Sequence, residues 1–359
     1  MKHRTRVLVV DDSAFSRGVL SRKLDGDPEI EVIGLARDGA EALEKTRDLK
    51  PDVVTLDMQM PLMDGLTALR HIMADCPTPV VVVSALTSED AKLTLEALEL
   101  GAVDFFLKPS PSNPVGTNGG SEDLATKVKQ ASRVSAAQLK TMAYRSSRSQ
   151  PGSRERRGRP EVGGKVAVIG SSTGGPRALC QLFRDFPDDI PSAMLVVQHM
   201  PPGFTRSLAD RLDQLSRLEV TEAQPGDVLR QGRVLVAPGG FHMRVDERGR
   251  IELTREALVN GVRPAVDVTM ESVARLFGAD SLGVVLTGIG SDGVRGAASI
   301  RAAGGRVLVE DESTCTVFGM PKAVIESGNA DVVVPLSRMA EEIIRTCKAS
   351  RNCSVGDRL

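Results

Sequence analysis

Histidine and cysteine are scarce in this 359-residue sequence, with four and five copies respectively. The cysteines, Cys76, Cys180, Cys315, Cys347 and Cys353, are scattered and form no Cys-x-x-Cys pair. That pattern argues against a disulfide framework and against a zinc cage, and for a reducing, cytoplasmic setting. No apolar run approaches the roughly 20 residues of a membrane span, so no transmembrane segment is expected. Met1-Lys2-His3-Arg4 leads straight into a strand, without a signal-peptide pattern. A formal net charge of -1 gives no whole-chain reason to expect nucleic acid as a partner, and no helix-turn-helix with a basic stripe is present. There is no internal repeat. What is present is ordinary globular composition, 41% hydrophobic and 26% charged, in a chain long enough for two cores.

Apolar periodicity predicts strands at 5–10, 30–36, 52–56, 79–84 and 103–107, with helices at 14–24, 40–48, 66–73 and 89–100 between them. Strands alternating with short helices imply a parallel sheet covered on both faces. The size is that of a flavodoxin-like domain. A polar helix near 124–144 follows. Residues 145–160, rich in Ser, Gly, Pro and Arg, cannot bury a core and read as a solvated tether, with contact to an anionic partner as the alternative. Alternation then resumes, with strands at 165–169, 193–198, 233–236, 282–286, 306–309 and 331–334. Helices are expected from Pro176, at 205–215, 264–277 and 294–303, and after Ser337. A hairpin within 242–253 turns at Glu247-Arg248-Gly249. Pro176 and Pro264 suit a first helical position. The expected class is α/β: a flavodoxin-like domain over 1–125, a helix and linker over 126–162, and a doubly wound, mainly parallel domain with an inserted β-hairpin over 163–350. Residues 351–359 form a tail.

In such sheets, functional groups gather at the carboxyl ends of strands. Asp11 and Asp12 end the first strand, Asp57 the third, Ser84 the fourth and Lys108 the fifth. Three converging carboxylates repel one another unless a hard cation joins them, and magnesium fits an all-oxygen set. Asp57 then has the chemistry of a phosphoryl acceptor. Lys108 suits a phosphoryl oxygen as a point charge, and Ser84 suits it as a hydrogen-bond donor. The segments Val-Val-Asp-Asp-Ser, Leu-Asp-Met-Gln-Met-Pro-Leu-Met-Asp-Gly-Leu and Phe-Leu-Lys-Pro resemble a two-component receiver domain. That resemblance implies phosphotransfer from a histidine kinase to Asp57. It also implies Mg²⁺ held by Asp11, Asp12, Asp57 and the backbone carbonyl near Gln59, with Phe105 in the place of the aromatic switch residue.

The second half carries different chemistry. Gly170-Ser171-Ser172-Thr173-Gly174 satisfies G-x-S-x-G between a predicted strand and helix, a turn that lifts a serine to the sheet edge. Its central position favours Ser172 over Ser171 as a nucleophile, and a glycine-rich phosphate loop is the alternative, though no Walker lysine follows. His199 ends the neighbouring strand, and Asp292 opens a helix after a later one. Together they supply a base and its orienting carboxylate, an N-cap being the lesser alternative for Asp292 alone. The order Ser172, His199, Asp292 is not that of α/β-hydrolases. A rival pattern exists: Gly288 to Gly293 matches G-x-G-x-x-G, with Glu310 placed as a ribose-binding acid.

Ile-Gly-Ser-Ser-Thr-Gly-Gly-Pro, Gln-His-Met-Pro-Pro-Gly-Phe-Thr, Ala-Pro-Gly-Gly-Phe-His-Met and Leu-Thr-Gly-Ile-Gly-Ser-Asp-Gly resemble the catalytic domain of the chemotaxis protein-glutamate methylesterase (CheB) family. The resemblance implies a triad of Ser172, His199 and Asp292, with backbone N–H groups near Thr173 and Ile289 at the oxyanion. Ile289 stands where the family commonly has methionine. The resemblance further implies hydrolysis of glutamate methyl esters on methyl-accepting chemoreceptors, deamidation of particular glutamines, and a CheA-type kinase as phosphodonor. No cofactor is expected for the esterase. The unphosphorylated receiver is expected to cover the active-site mouth. A receiver-controlled nucleotide-binding module is the competing reading from another class.

Overall fold

The computed structural model describes residues 4–108, 123–134, 139 and 164–348. The chain forms two compact units, Met1–Arg148 and Ser149–Leu359. In the first, β1 (Thr5–Val10), β2 (Ile30–Ala36), β3 (Val53–Asp57), β4 (Val80–Ser84) and β5 (Asp104–Leu107) form a parallel sheet in the order β2-β1-β3-β4-β5. β3 and β4 are buried at every residue, which is why they read as unbroken apolar runs rather than alternating ones. The connecting helices are α1 (Ala14–Asp25), α2 (Gly39–Leu49), α3 (Gly65–Asp75), α4 (Ser88–Leu100) and α5 (Leu124–Ala131). Each begins with its own side-chain cap, from Ser13, Asp38, Asp64, Thr87 and Asp123, satisfying N–H groups that the helix leaves unpaired.

α5 differs from expectation. It is the fifth layer helix of this unit, packed against β5, β4 and α1 through Leu124, Ala125, Val128 and Ala131. The helix expected over 124–144 is therefore broken after Ala131, where Ser132 to Val134 turn, Leu139 being helical again, and the expected boundary at 125 falls inside α5. The tether at 145–160 and the tail at 351–359 lie outside the described residues.

The second unit holds a seven-stranded sheet, β14-β13-β12-β6-β7-β9-β8, with every pairing parallel. Its strands are β6 (Lys165–Ser171), β7 (Ser192–Gln198), β8 (Glu219–Glu222), β9 (Arg233–Val236), β12 (Ser281–Val285), β13 (Arg306–Glu310) and β14 (Val332–Val334). β10 (His242–Val245) and β11 (Ile251–Thr254) form the separate antiparallel hairpin. Helices are α6 (Gly175–Arg184), α7 (Phe204–Leu215), α8 (Val266–Phe277), α9 (Val294–Ala302), α10 (Met320–Glu326) and α11 (Leu336–Lys348). Three elements among the described residues went unforeseen, one of them the 3₁₀ turn Gly278–Asp280. The edge strand β8 buries a single residue, Val220, and the seven-residue α10 is too short to show a period. Pro264 is not a first helical residue either: it precedes the N-cap Ala265, after a cis Arg263–Pro264 bond, and α8 starts at Val266. No helix among the described residues is long and apolar enough to cross a membrane.

Chain order reverses at β6, which lies between β7 on one side and β12 on the other. Loops leaving the carboxyl ends of these three strands meet at that switch point, where ligands bind in open α/β sheets.

Candidate functional site

Asp11, Asp12 and Asp57 place carboxylate oxygens within 4.8 Å of one another at the sheet edge of the first unit. Lys108 Nζ lies 2.7 Å from Asp57 Oδ2 and 2.9 Å from Asp11 Oδ2. The second contact is an ion pair without hydrogen-bond alignment, so the buried Asp11 Oδ2 has no hydrogen-bond partner. Three carboxylates against one ammonium leave excess negative charge in an all-oxygen cluster, which fits a hard divalent cation. Burial raises the Asp57 carboxyl above its ordinary range, against the pull of Lys108. Burial would lower Lys108, but Asp57 and Asp11 outweigh it and hold the ammonium charged. The remaining expected residues point elsewhere. Ser84 Oγ accepts from Thr94 Oγ1 at 2.8 Å, and Phe105 is buried in β5. The Gln59 amide donates to Asp90 at 2.9 Å while its N–H reaches Asp57 Oδ1 at 3.3 Å.

In the second unit, Ser171 pairs with Gln198 in the β6–β7 register, so Ser172 and His199 leave adjacent strands side by side. The His199 N–H donates to Ser171 O at 3.1 Å. Gln198 braces this junction: its Nε2 donates to Ser172 O at 2.9 Å and its Oε1 accepts from Ser171 Oγ at 2.7 Å. Ser171 is thus consumed by structure. Ser172 hangs on main-chain bonds, its N–H to Thr287 O and its carbonyl accepting from Gly175 N. Two glycines permit the crowding here. A Cβ on Gly175 would fall 2.0 Å from Gln198 Oε1, and one on Gly288 would fall 2.8 Å from Ser172 Cβ.

His199 Nε2 lies 2.8 Å from Asp292 Oδ2. Asp292 is buried and ringed by donors. Oδ2 also accepts from Val266 N at 2.6 Å, and Oδ1 accepts from Asp267 N, Gly293 N and Asn260 Nδ2, each at 3.1 Å. Val266 and Asp267 are the first residues of α8, whose N-cap Ala265 offers no side-chain hydrogen bond. Asp292 therefore caps α8 from another loop. Asp267 in turn caps α9, accepting from Gly293 N at 2.9 Å and Gly296 N at 2.8 Å. The helix for which Asp292 is the alternative cap in sequence is thus served chiefly by Asp267. Burial pushes the Asp292 carboxyl up, but the His199 contact and the two α8 N–H groups outweigh it and hold it below the ordinary range. α6 differs: its N-cap is Gly174, which offers no side-chain cap, leaving a bare positive helix end beside Ser172.

Comparison with known proteins decides the family. Residues 167–343 match the CheB methylesterase family and residues 7–115 the response regulator receiver domain. The protein-glutamate methylesterase/protein-glutamine glutaminase of Symbiobacterium thermophilum is 51% identical over 353 residues, covering 95% of this chain and 96% of its own. The chain belongs to the CheB methylesterase family. The Pyrococcus abyssi protein of the same name is 46% identical, covering 97% of this chain and 95% of its own. The crystal structure of the Thermotoga maritima CheB methylesterase catalytic domain superposes with a TM-score of 0.50 at 47% identity, over 51% of this chain and 99% of that one.

Within this CheB-family chain the dinucleotide pattern loses its key acid. Glu310 is wholly buried, accepting from Thr287 N at 2.8 Å and Thr314 Oγ1 at 3.0 Å, and reaches no ribose. It props Thr287, whose carbonyl receives the Ser172 N–H. Thr173 is buried, its carbonyl accepting from Thr287 Oγ1 at 3.0 Å, while Ile289 is half-buried beside Gly288. Sequence reasoning missed Gln198, Asn260, Asp267 and the bracing role of Glu310. Only Asn260 carried a signal, since Val-Asn-Gly-Val reads as a tight turn.

Proposed function

We propose that this protein is a phosphorylation-activated methylesterase that hydrolyses glutamate methyl esters on methyl-accepting chemoreceptors to glutamate and methanol, and deamidates specific glutamines there. The observation that carries the reading is the His199–Asp292 pair, hydrogen-bonded at 2.8 Å beside Ser172 at the β6 switch point, in a chain whose full-length relatives bear that name. With Nε2 engaged by Asp292, Nδ1 is the ring nitrogen left to take the Ser172 proton. Ser172 Oγ attacks the ester carbonyl carbon, and the oxyanion is met by backbone N–H groups near Thr173 and Ile289. Return of the proton from His199 lets methanol leave. Water, deprotonated by the same imidazole, then cleaves the glutamyl-serine ester and restores Ser172. For a glutamine the leaving group is ammonia.

In the receiver, Asp57 accepts a phosphoryl group from a CheA-type histidine kinase. Asp11, Asp12, Asp57 and the carbonyl near Gln59 would hold Mg²⁺, which neutralises phosphoryl oxygens when bound. Lys108 takes a phosphoryl oxygen, Ser84 turns from Thr94 toward another, and Phe105 reports the change. The unphosphorylated receiver inhibits the esterase until then, and the role of the enzyme is chemotactic adaptation in the cytoplasm. Methanol release from methyl-labelled receptors tests the catalytic assignment. Ser172→Ala should lower the rate by several powers of ten, and a variant as active as the wild type would refute it.

A further inference from the structure

We infer that Asn260 is a positioning residue of the hydrolytic site, its amide fixing the Asp292 carboxylate for His199 from a dedicated two-residue turn. The inference rests on the reading of His199 and Asp292 as the partners of Ser172. Val259 and Val262 exchange both main-chain hydrogen bonds, at 3.2 and 3.0 Å. The two residues between them, Asn260 and Gly261, have φ of 53° and 76°. Positive φ at both central positions is the type I′ pattern, and asparagine is among the few non-glycine residues that tolerate it. The turn aims the side chain inward. Asn260 Nδ2 lies 2.9 Å from Asp267 Oδ2 and 3.1 Å from Asp292 Oδ1. One NH₂ group therefore bridges two buried carboxylates.

That bridge has a chemical consequence. It stabilises charge on both acids and separates like charges that would otherwise face each other directly. The charged and titratable groups facing Asp292 are His199, Asp267 of α8, Arg295 of α9 and His242 of β10, with Arg295 Nε paired to Asp267 at 3.2 Å. Removing the amide leaves more uncompensated negative charge beside the imidazole, which favours its protonated form. The carboxylate also loses one of the three donors that fix Oδ1.

Asn260→Gly isolates the side chain, because glycine adopts the same turn. In the full-length protein with acetyl phosphate and Mg²⁺, two rates should be followed from pH 5 to 9. These are labelling by a serine-directed fluorophosphonate and methanol release from a synthetic helical peptide carrying a glutamate γ-methyl ester. The expected result is a kcat on the order of tenfold lower at pH 7 with KM nearly unchanged, and an acidic limb displaced upward by about half a pH unit or more. An unchanged kcat and limb, or an equal loss at every pH, overturns the inference. Asp267→Asn provides a second arm if the glycine variant does not fold. It removes the neighbouring negative charge and should displace the limb downward, and a limb that stays put or rises counts against the bridge. Ser172→Ala is run alongside: if it remains active, the triad itself fails, whereas an inactive Ser172→Ala with a wild-type Asn260→Gly refutes the bridge alone.

Discussion

Glu310→Gln removes a titration from beneath the Ser172 loop. Burial pushes the Glu310 carboxyl from 4.5 to about 7, against the pull of the Thr287 N–H and the Thr314 hydroxyl. Between those values the folded protein holds the proton more tightly than the unfolded chain. Its contribution to stability is therefore fully present below about 4.5 and is lost as pH rises through about 7. A displacement of about 2.5 pH units at about 1.4 kcal/mol each amounts to about 3.5 kcal/mol. Glutamine fits the same space. Its carbonyl can accept from Thr287 N, and its NH₂ can donate to Thr314 Oγ1, whose hydroxyl also reaches Asp311 O at 3.3 Å. Because the chain lacks tryptophan, urea unfolding at several pH values is best followed by far-ultraviolet circular dichroism, taking the transition of the second unit. The advantage of Glu310→Gln over wild type should grow by about 2–3 kcal/mol between pH 5 and 8.5. A difference that stays constant across that range would refute the buried titration.

Gly175→Ala places a Cβ 2.0 Å from Gln198 Oε1 and 2.8 Å from Ser171 Oγ, so the brace on Ser172 must move. Esterase activity should fall at least tenfold in protein that still gives the α/β circular dichroism spectrum. Deleting residues 1–150 should raise basal methanol release and abolish the response to acetyl phosphate. A truncated enzyme no faster than the unphosphorylated full-length protein would count against inhibition by the receiver.

The architecture was legible because parallel strands buried on both faces are written as unbroken runs, such as Val80 to Val83, and because loops follow them at regular intervals. Ser172, His199 and Asp292 could be picked out for the same reason: each follows a strand, and strand ends converge. What the pattern hides is the direction of a side chain. Glu310 has the spacing of a surface acid yet points wholly into the core. Asp267 reads as a commonplace first-turn acid, but it caps a different helix, 26 residues away at Gly293. Gln59 and Ser84 sit at the expected strand ends with side chains engaged by α4. Such choices depend on which donors are left over elsewhere, and the linear sequence does not order those.

The partners of Asp292 make one further outcome calculable. Every group around its carboxylate is a donor: His199 Nε2 and Val266 N at Oδ2, and Asn260 Nδ2, Asp267 N and Gly293 N at Oδ1. Asp292→Asn preserves shape but replaces one acceptor with an NH₂, and neither amide orientation avoids opposing donors. If the NH₂ replaces Oδ2, it faces the Val266 N–H, and His199 must surrender its Nε2 proton, which leaves Nδ1 protonated and useless as the base for Ser172. If it replaces Oδ1, it confronts three N–H groups at once, two of them backbone and unable to turn away. The first orientation costs less, so the wrong tautomer of His199 should dominate. The expected result is a loss of about 10³–10⁴ in kcat, with destabilisation of about 1–3 kcal/mol from the unpaired buried donor. Activity within tenfold of wild type would mean that His199 draws its orientation from a group other than Asp292.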